Sequence, residues 1–397
     1  MTAARKVMLI VATVLLVGGS ALAMGAFALA DFRFENLSND TRDWTSTTIA
    51  LDPEAEAPHD AIVVRDSAEG VRFEATDGDA VEVTYWTSSE KSIEVTDEGS
   101  VLEVTGTATS RLTFQFMKIE FQDHATVVKV PRSYAGSITA ETASGYVTVY
   151  DLEGTGAVTA ASSSGSVEMA NLKDTGAILA QSSSGRVALT SLENVESAVA
   201  QTQSGDAGIA DVNARASVEL RSTSGSVWVD VVRAGSFYAS STSGEVSLSF
   251  IEADSVEARG QSGSVYADYL DADDVALSTT SGDVSVNDLF ADVVALDSAS
   301  GSIRAAVVGD PSSYVVEANA TSGSVNVPRG ADSSDKRIGL RTASGDIDLA
   351  FSAASDLTWP ENSAGRTAKP SKSTAPEAPA APGAPAAPAA PEPPAAP

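Results

Sequence analysis

Serine followed by glycine recurs with the serine at residues 144, 164, 184, 204, 224, 243, 262, 281, 300, 322 and 344. A serine hydroxyl attacks only when a base takes its proton. No histidine lies among these repeats; His59 and His124 both precede them, and a lone histidine in a lead-in strand or loop is usually solvated or structural. The serines therefore read as architecture. Carboxylates offer a second chemistry. Asp254, Asp273 and Asp292 follow alanine at one place in three consecutive repeats, with Asp271 and Asp274 nearby. Stacked repeats would align the three at ~4.8 Å. Hard cations such as Ca²⁺ take several oxygen ligands at about 2.3–2.6 Å. Against a metal, aspartate also suits a turn by bonding its own backbone, and the Gly-Gly-x-Gly-x-Asp nonapeptide of calcium-binding β-rolls is absent. The three are metal candidates, while the expectation is no metal, no cofactor and no catalytic residue. Trp228 and Tyr266 fall at one outward position two repeats apart, with Ser247 between them. Rings about 10 Å apart on a flat β face can stack on sugars, so these two are the glycan candidates. Phe114, Phe116 and Phe121 fit membrane contact or cap packing, the latter preferred.

The elements that must position these side chains follow from the spacing. Successive Ser-Gly marks are 20, 20, 20, 20, 19, 19, 19, 19, 22 and 22 residues apart, the signature of a repeat architecture. Two residues after most glycines stands Val or Ile, as at Val147, Val167 and Val246, with Ala207 the exception. Two further on comes another apolar residue, such as Met169, Leu189 or Leu248. This period of two marks a strand with one buried face. A third apolar position follows a short turn (Leu152, Leu172, Leu192, Val212, Val232, Ile251, Leu270, Leu289), and a second strand leads to the next Ser-Gly. No helix fits such a repeat. The fold class is all-β: a single-stranded β-helix, or solenoid, of ~19–22-residue rungs stacked at ~4.8 Å, roughly 50 Å over ten steps. Glycine is expected to turn the corner through φ > 0, with the adjoining serine capping the bend. A small residue two before that serine (Thr142, Ser162, Ser182, Thr202, Ser222, Ser241, Gly260, Thr279, Ser298) faces inward, where hydroxyls would bond along the rod.

Four segments result. Residues 1–30 carry Arg5 and Lys6 before an uncharged run from Val7 to Ala30, long enough for a transmembrane helix with the body outside. Cleavage as a signal peptide is the rival reading, with Ala-Leu-Ala at 21–23 and 28–30. Residues 31–139 form a β-rich lead-in and cap, with alternating runs at 71–75, 81–86, 92–95, 101–105 and 126–131 and a candidate hairpin through Arg111–His124. Residues 140–360 are the repeats, closed by Phe351 and Trp359, and 361–397 are a Pro/Ala-rich disordered tail. The net charge of −29 makes nucleic acid an unfit partner, and the absence of cysteine removes disulfides and thiolate metal sites.

Rungs of the type Ser281-Gly282-Asp283-Val284-Ser285-Val286-Asn287-Asp288-Leu289, after a lead-in ending Val127-Val128-Lys129-Val130-Pro131, resemble the bacterial "putative adhesin" family of domains of unknown function over residues 60–355. The resemblance implies a cell-envelope β-helix and supplies no catalytic motif. The expected function is a non-catalytic binding, adhesion or scaffold module on the membrane, with an envelope glycan or protein as partner. Alternatives are an accessory sensor of a membrane stress-response system and a polysaccharide-active enzyme. Rungs of 19–22 residues leave no long loops to build a catalytic cleft.

Overall fold

The computed structural model describes residues 43–51, 59–109 and 123–352. Residues 1–30, residues 111–122 of the candidate hairpin, Trp359 and the Pro/Ala-rich tail lie outside the described residues. Among those described, no helix is long and apolar enough to cross a membrane.

The described strands join in one continuous sheet wound into a β-solenoid. Alternation of inward apolar and outward polar residues sets the two flat faces. One face stacks strands such as Ser137–Thr142, Val158–Ser162 and Ala177–Ser182 in parallel, with Ile138, Val158 and Ile178 in one column. The other stacks Val147–Tyr150, Val167–Lys173 and the first half of Val187–Thr202, with Val147, Val167 and Val187 aligned. Inward residues are buried, including the third apolar position from Leu152 to Leu289, except in the terminal Val315–Asn326 rung, where Val325 is exposed. Each rung thus shares its core with its neighbours, which suits a composition of small and β-branched residues.

Gly323 and Gly345 take the expected positive φ, at 143° and 153°, but the other Ser-Gly corners differ from expectation in their physics. From Gly145 to Gly301 no corner glycine has left-handed φ. Glycine is needed because the corners stack backbone on backbone. A Cβ on Gly165 would sit 1.9 Å from the Gly145 carbonyl oxygen, and one on Gly244 2.2 Å from that of Gly225. The capping hydroxyl also belongs to another residue, the inward one two places before the serine. Ser162 Oγ donates to the Gly145 carbonyl at 2.8 Å and accepts the Gly165 N–H at 2.8 Å. Ser182, Thr202, Ser222 and Ser241 do the same one rung on. The hydroxyls therefore clip successive glycines together rather than bonding one another. In the Ser-Gly-Asp rungs the aspartate accepts an N–H from the adjacent rung, as Asp283 does from Ser302 at 2.8 Å.

Left-handed backbone appears at the opposite corner, one residue before the third apolar position. Asp151, Asn171, Ser191 and Asp211 occupy it in four rungs, at φ 54–61°. Asp and Asn tolerate this region; branched and bulky residues are outliers there. Val231, Phe250 and Tyr269 nevertheless take it in the next three rungs, at φ 56°, 52° and 58°.

Both ends depart from sequential stacking. At the N-terminal end the rung of Ala61–Asp66 and Val71–Thr76 lies between the Ser137–Tyr150 rung and that of Val101–Ala108 and Thr126–Pro131. Antiparallel strands Thr45–Ala50, Glu82–Thr87 and Lys91–Glu98 extend this end. Lys91 reaches inward, fully buried, and its Nζ meets the equally buried Asp66 Oδ2 at 2.6 Å. Asp66 also accepts the Ala68 and Glu69 N–H groups and the Thr126 hydroxyl. At the C-terminal end, Arg337–Ser344 and Ile347–Ser352 slot between the Val293–Val308 rung and the Val315–Asn326 rung. The last described strand is therefore next to last in space.

Candidate binding groove

Perfect register turns one outward position per rung into a column. On the first face Arg65, Glu141, Ala161, Gln181, Gln201 and Arg221 stand in line. Two residues on, at the Ser-Gly corner, runs a parallel row: Ser67, Ala143, Ser163, Ser183, Gln203 and Thr223. Between the rows lies an open groove of about 710 Å³. Five steps at ~4.8 Å make it roughly 24 Å long.

The groove's middle is neutral in a strongly acidic chain. Gln181 Nε2 donates to Gln201 Oε1 at 3.2 Å, and Gln201 Nε2 donates to Glu219 Oε1 at 3.1 Å. Each end carries an arginine held by carboxylates. Arg65 pairs with Glu103 and, at 3.1 Å, with Glu141. Arg221 pairs with Glu219 and lies 4.8 Å from the Tyr238 ring centre. Amides and hydroxyls repeating at the rung spacing can hydrogen-bond an extended polar chain at successive points. Sequence reasoning missed this groove: its neighbouring residues lie 20 or more apart in sequence, and each alone is an ordinary surface residue.

Trp228, Ser247 and Tyr266 do share an outward column, on the opposite face. Trp228 turns back over Gly208, where a Cβ would meet the indole at 1.9 Å, and the Arg186 guanidinium lies 5.4 Å from its ring centre. Tyr266 is 41% exposed. The two rings thus point apart in environment: one covered by its neighbours, one open.

Asp254, Asp273 and Asp292 also stack as the spacing implies, through Asp273 N–H to Asp254 C=O and Asp292 N–H to Asp273 C=O at 3.0 Å each. Lys336 Nζ reaches Asp292 Oδ1 at 2.8 Å. Among the described residues no group of three or more His, Cys, Asp or Glu could hold a metal ion. His124 is buried, stacked on Trp44 at 4.0 Å and edge-on to Trp86 at 5.0 Å. His59 bonds Asp97 at 2.8 Å. A polar cluster absent from the sequence reading joins Arg72, Asp123 and Tyr146: Arg72 Nη2 meets Asp123 at 2.9 Å and Tyr146 Oη at 2.8 Å. Burial first, and then the Asp123 carboxylate, raise the Tyr146 phenol above its ordinary range, keeping it a neutral donor to Asp123.

The Toastrack DUF4097 family model matches residues 59–231 and again 200–350. No curated protein matches the chain. Among solved structures, a "putative adhesin" from Bacteroides fragilis NCTC 9343 shares 14% identity, over 62% of this chain and 96% of that one, with a TM-score of 0.36. A "putative cell adhesion protein" from Clostridium sporogenes ATCC 15579 shares 9% identity, over 78% of this chain and 100% of that one, with a TM-score of 0.19.

Proposed function

The chain belongs to the Toastrack DUF4097 family, and from that premise we propose that it is a non-catalytic binding module that holds an extended, hydroxyl-rich polymer along the Arg65–Arg221 groove. An envelope polysaccharide is the ligand class with the matching chemistry. The observation that carries the reading is the in-register column of Gln181 and Gln201 beside the Ser163 and Ser183 row. A sugar chain offers donors and acceptors at every unit, and a rigid β face presents partners at every rung without a cost of ordering. Binding should depend little on salt, because the central groove is uncharged.

Residues 1–30 tether the body to the outer side of a bacterial membrane in this reading, and the Pro/Ala-rich residues 361–397 act as a disordered spacer. The support is the uncharged 24-residue run behind Arg5 and Lys6. Binding of purified chain to isolated envelope polysaccharide, compared with Gln181→Ala/Gln201→Ala, tests the ligand assignment. Retention by the parent and loss in the double variant is expected; equal retention refutes the groove. Protease shaving of intact cells, with and without residues 1–30, tests the topology. A body cleaved only after lysis refutes it.

A further inference from the structure

Asp66 breaks the column of inward hydroxyls. It pairs with Thr142, and Thr142 with Ser162, so a carboxylate stands where the following rungs place Thr or Ser. It serves the corner in the same way. Oδ1 accepts the Glu69 N–H at 3.0 Å, just as Ser162 Oγ accepts the N–H of Gly165, also three residues on. Oδ1 accepts the Ala68 N–H as well, at 3.0 Å. A hydroxyl suffices for this in the other rungs, which leaves Oδ2 unexplained by the architecture. Oδ2 lies 2.6 Å from Lys91 Nζ, and the two side chains are 1% and 0% exposed. Alternation along Lys91–Glu98 puts Lys91 on the inner side with Ile93 and Val95. Gly106, paired with Asp66 in the adjoining rung, clears the space: a Cβ there would lie 2.9 Å from Oδ2. As an ion pair the contact is a poor source of stability. An ammonium carries three donors, and among the described residues Nζ has no aligned hydrogen-bond partner. Burying two charges costs about as much as their attraction returns unless the remaining donors are satisfied.

We propose that Lys91 and Asp66 join covalently, as an amide between Nζ and Cγ formed inside the folded chain with loss of one water. A proton passes from the ammonium to Oδ2, giving a neutral amine and a carboxylic acid and removing both buried charges. The amine lone pair attacks Cγ and the C–N bond forms. Negative charge moves onto Oδ1, where the Ala68 and Glu69 N–H groups hold it. A second proton leaves Nζ for Oδ2, and the Thr126 hydroxyl, 3.3 Å from Oδ2, is placed to carry it. The bond from Cγ to Oδ2 then breaks and Oδ2 departs as water. Nothing is oxidised or reduced. The oxygen retained is Oδ1, the one that the corner needs, and the amide keeps a single N–H in place of three ammonium donors. Holding amine and carboxyl in contact replaces a bimolecular encounter. Among the described residues the strand Lys91–Glu98 has its ladder with Val101–Ala108. The amide staples that strand to the Ala61–Asp66 rung as well, in a chain that has no cysteine for a disulfide. This assignment does not rest on the groove's proposed ligand.

Peptide mapping of the full chain, purified folded and then denatured for digestion, tests the bond. Trypsin should leave the chain uncut after Lys91 and release residues 66–72 joined to 73–111, one water lighter than the two peptides apart, as the main species. Fragmentation should place the junction between Asp66 and Lys91. Asp66→Ser installs the residue type that the neighbouring rungs use and removes the carbon that Nζ attacks. Lys91→Met removes the amine. Both variants should yield residues 66–72 unlinked, and in Asp66→Ser trypsin should cut after Lys91. Unlinked 66–72 as the main species from the folded parent overturns the proposal. A junction from Lys91 to a different carboxylate overturns it too, as does a linked peptide that persists in Asp66→Ser.

Discussion

Changing Gly244 to alanine adds one Cβ, which would lie 2.2 Å from the Gly225 carbonyl oxygen. Reaching even 3.0 Å requires the two corners to separate by roughly 0.8 Å. Rungs held by ladders on both faces cannot simply spread. Forced overpacking of this kind costs about 1–3 kcal/mol. The same movement strains two bonds, Ser241 Oγ to the Gly225 carbonyl at 2.8 Å and Gly244 N–H to Ser241 Oγ at 2.9 Å. Each contributes about 1 kcal/mol. Alanine recovers about 0.4–1 kcal/mol by restricting the unfolded chain. The net loss is about 2–4 kcal/mol. Hydrogen exchange suits a stacked array, because rungs open locally. Amides of the rungs around Gly225 and Gly244 should exchange roughly thirtyfold faster or more. Ser247→Val, outward in the same rung, should change stability by less than about 0.5 kcal/mol. Equal exchange in the two variants, or parental protection in Gly244→Ala, would refute close stacking as the reason for glycine.

Further outcomes follow from other contacts. Val231→Asn should raise the unfolding midpoint by relieving a branched residue at φ 56°, a gain of about 1 kcal/mol; an unchanged or lower midpoint counts against strain there. Lys91→Met leaves Asp66 buried without its cation and should cost about 3–5 kcal/mol in denaturant unfolding. Arg132→Ala, which removes the exposed pair with Asp77, should leave the unfolding midpoint close to the parental one. Asp346 is held below the ordinary carboxyl range, first by the Ser324 N–H and then by the Ser324 hydroxyl. A lowered folded-state value means the stabilisation is present above the unfolded pKa of ~3.9 and is lost as pH falls through the lower folded value. Protection of the amides in 315–326, taken relative to the intrinsic exchange rate at each pH, should therefore fall on acidification in the parent, and Asp346→Asn should flatten that dependence.

The solenoid was legible because its signal is local and repeated. Alternating apolar residues placed Val167 and Val187 in one inward column, and Trp228, Ser247 and Tyr266 in one outward column, before any coordinates. The reason for glycine was not legible: left-handed φ and close approach both select Gly, and only the 1.9–2.6 Å clashes across the corners from Gly165 to Gly301 separate them. The true left-handed corner was obscured because Asp151 and Asn171 give way to Val231 and Phe250, which carry no turn signature. The groove needs residues from six rungs at once, and neither Gln181 nor Gln201 is distinctive alone. The rung order at the ends has no sequence signal, since Val315–Asn326 and Arg337–Ser352 are equally good rungs and only packing decides which lies inside.

The inserted strand at the C-terminal end changes how the rod responds to load and how it is made. In a simple stack, tension on the chain end peels the outermost rung one bond at a time. Here Ile347–Ser352 is flanked by Ile303–Val308 on one side and, over Ile347 and Asp348, by Val325–Asn326 on the other. A pull at Ser352 first peels residues 349–352 from one neighbour and then, at Ile347 and Asp348, meets two, where shear against both replaces unzipping of one. Synthesis is constrained by the same geometry. Among the described residues, the Val315–Asn326 rung has its ladder partners within residues 337–352, so this end of the rod closes after Ser352 has left the ribosome.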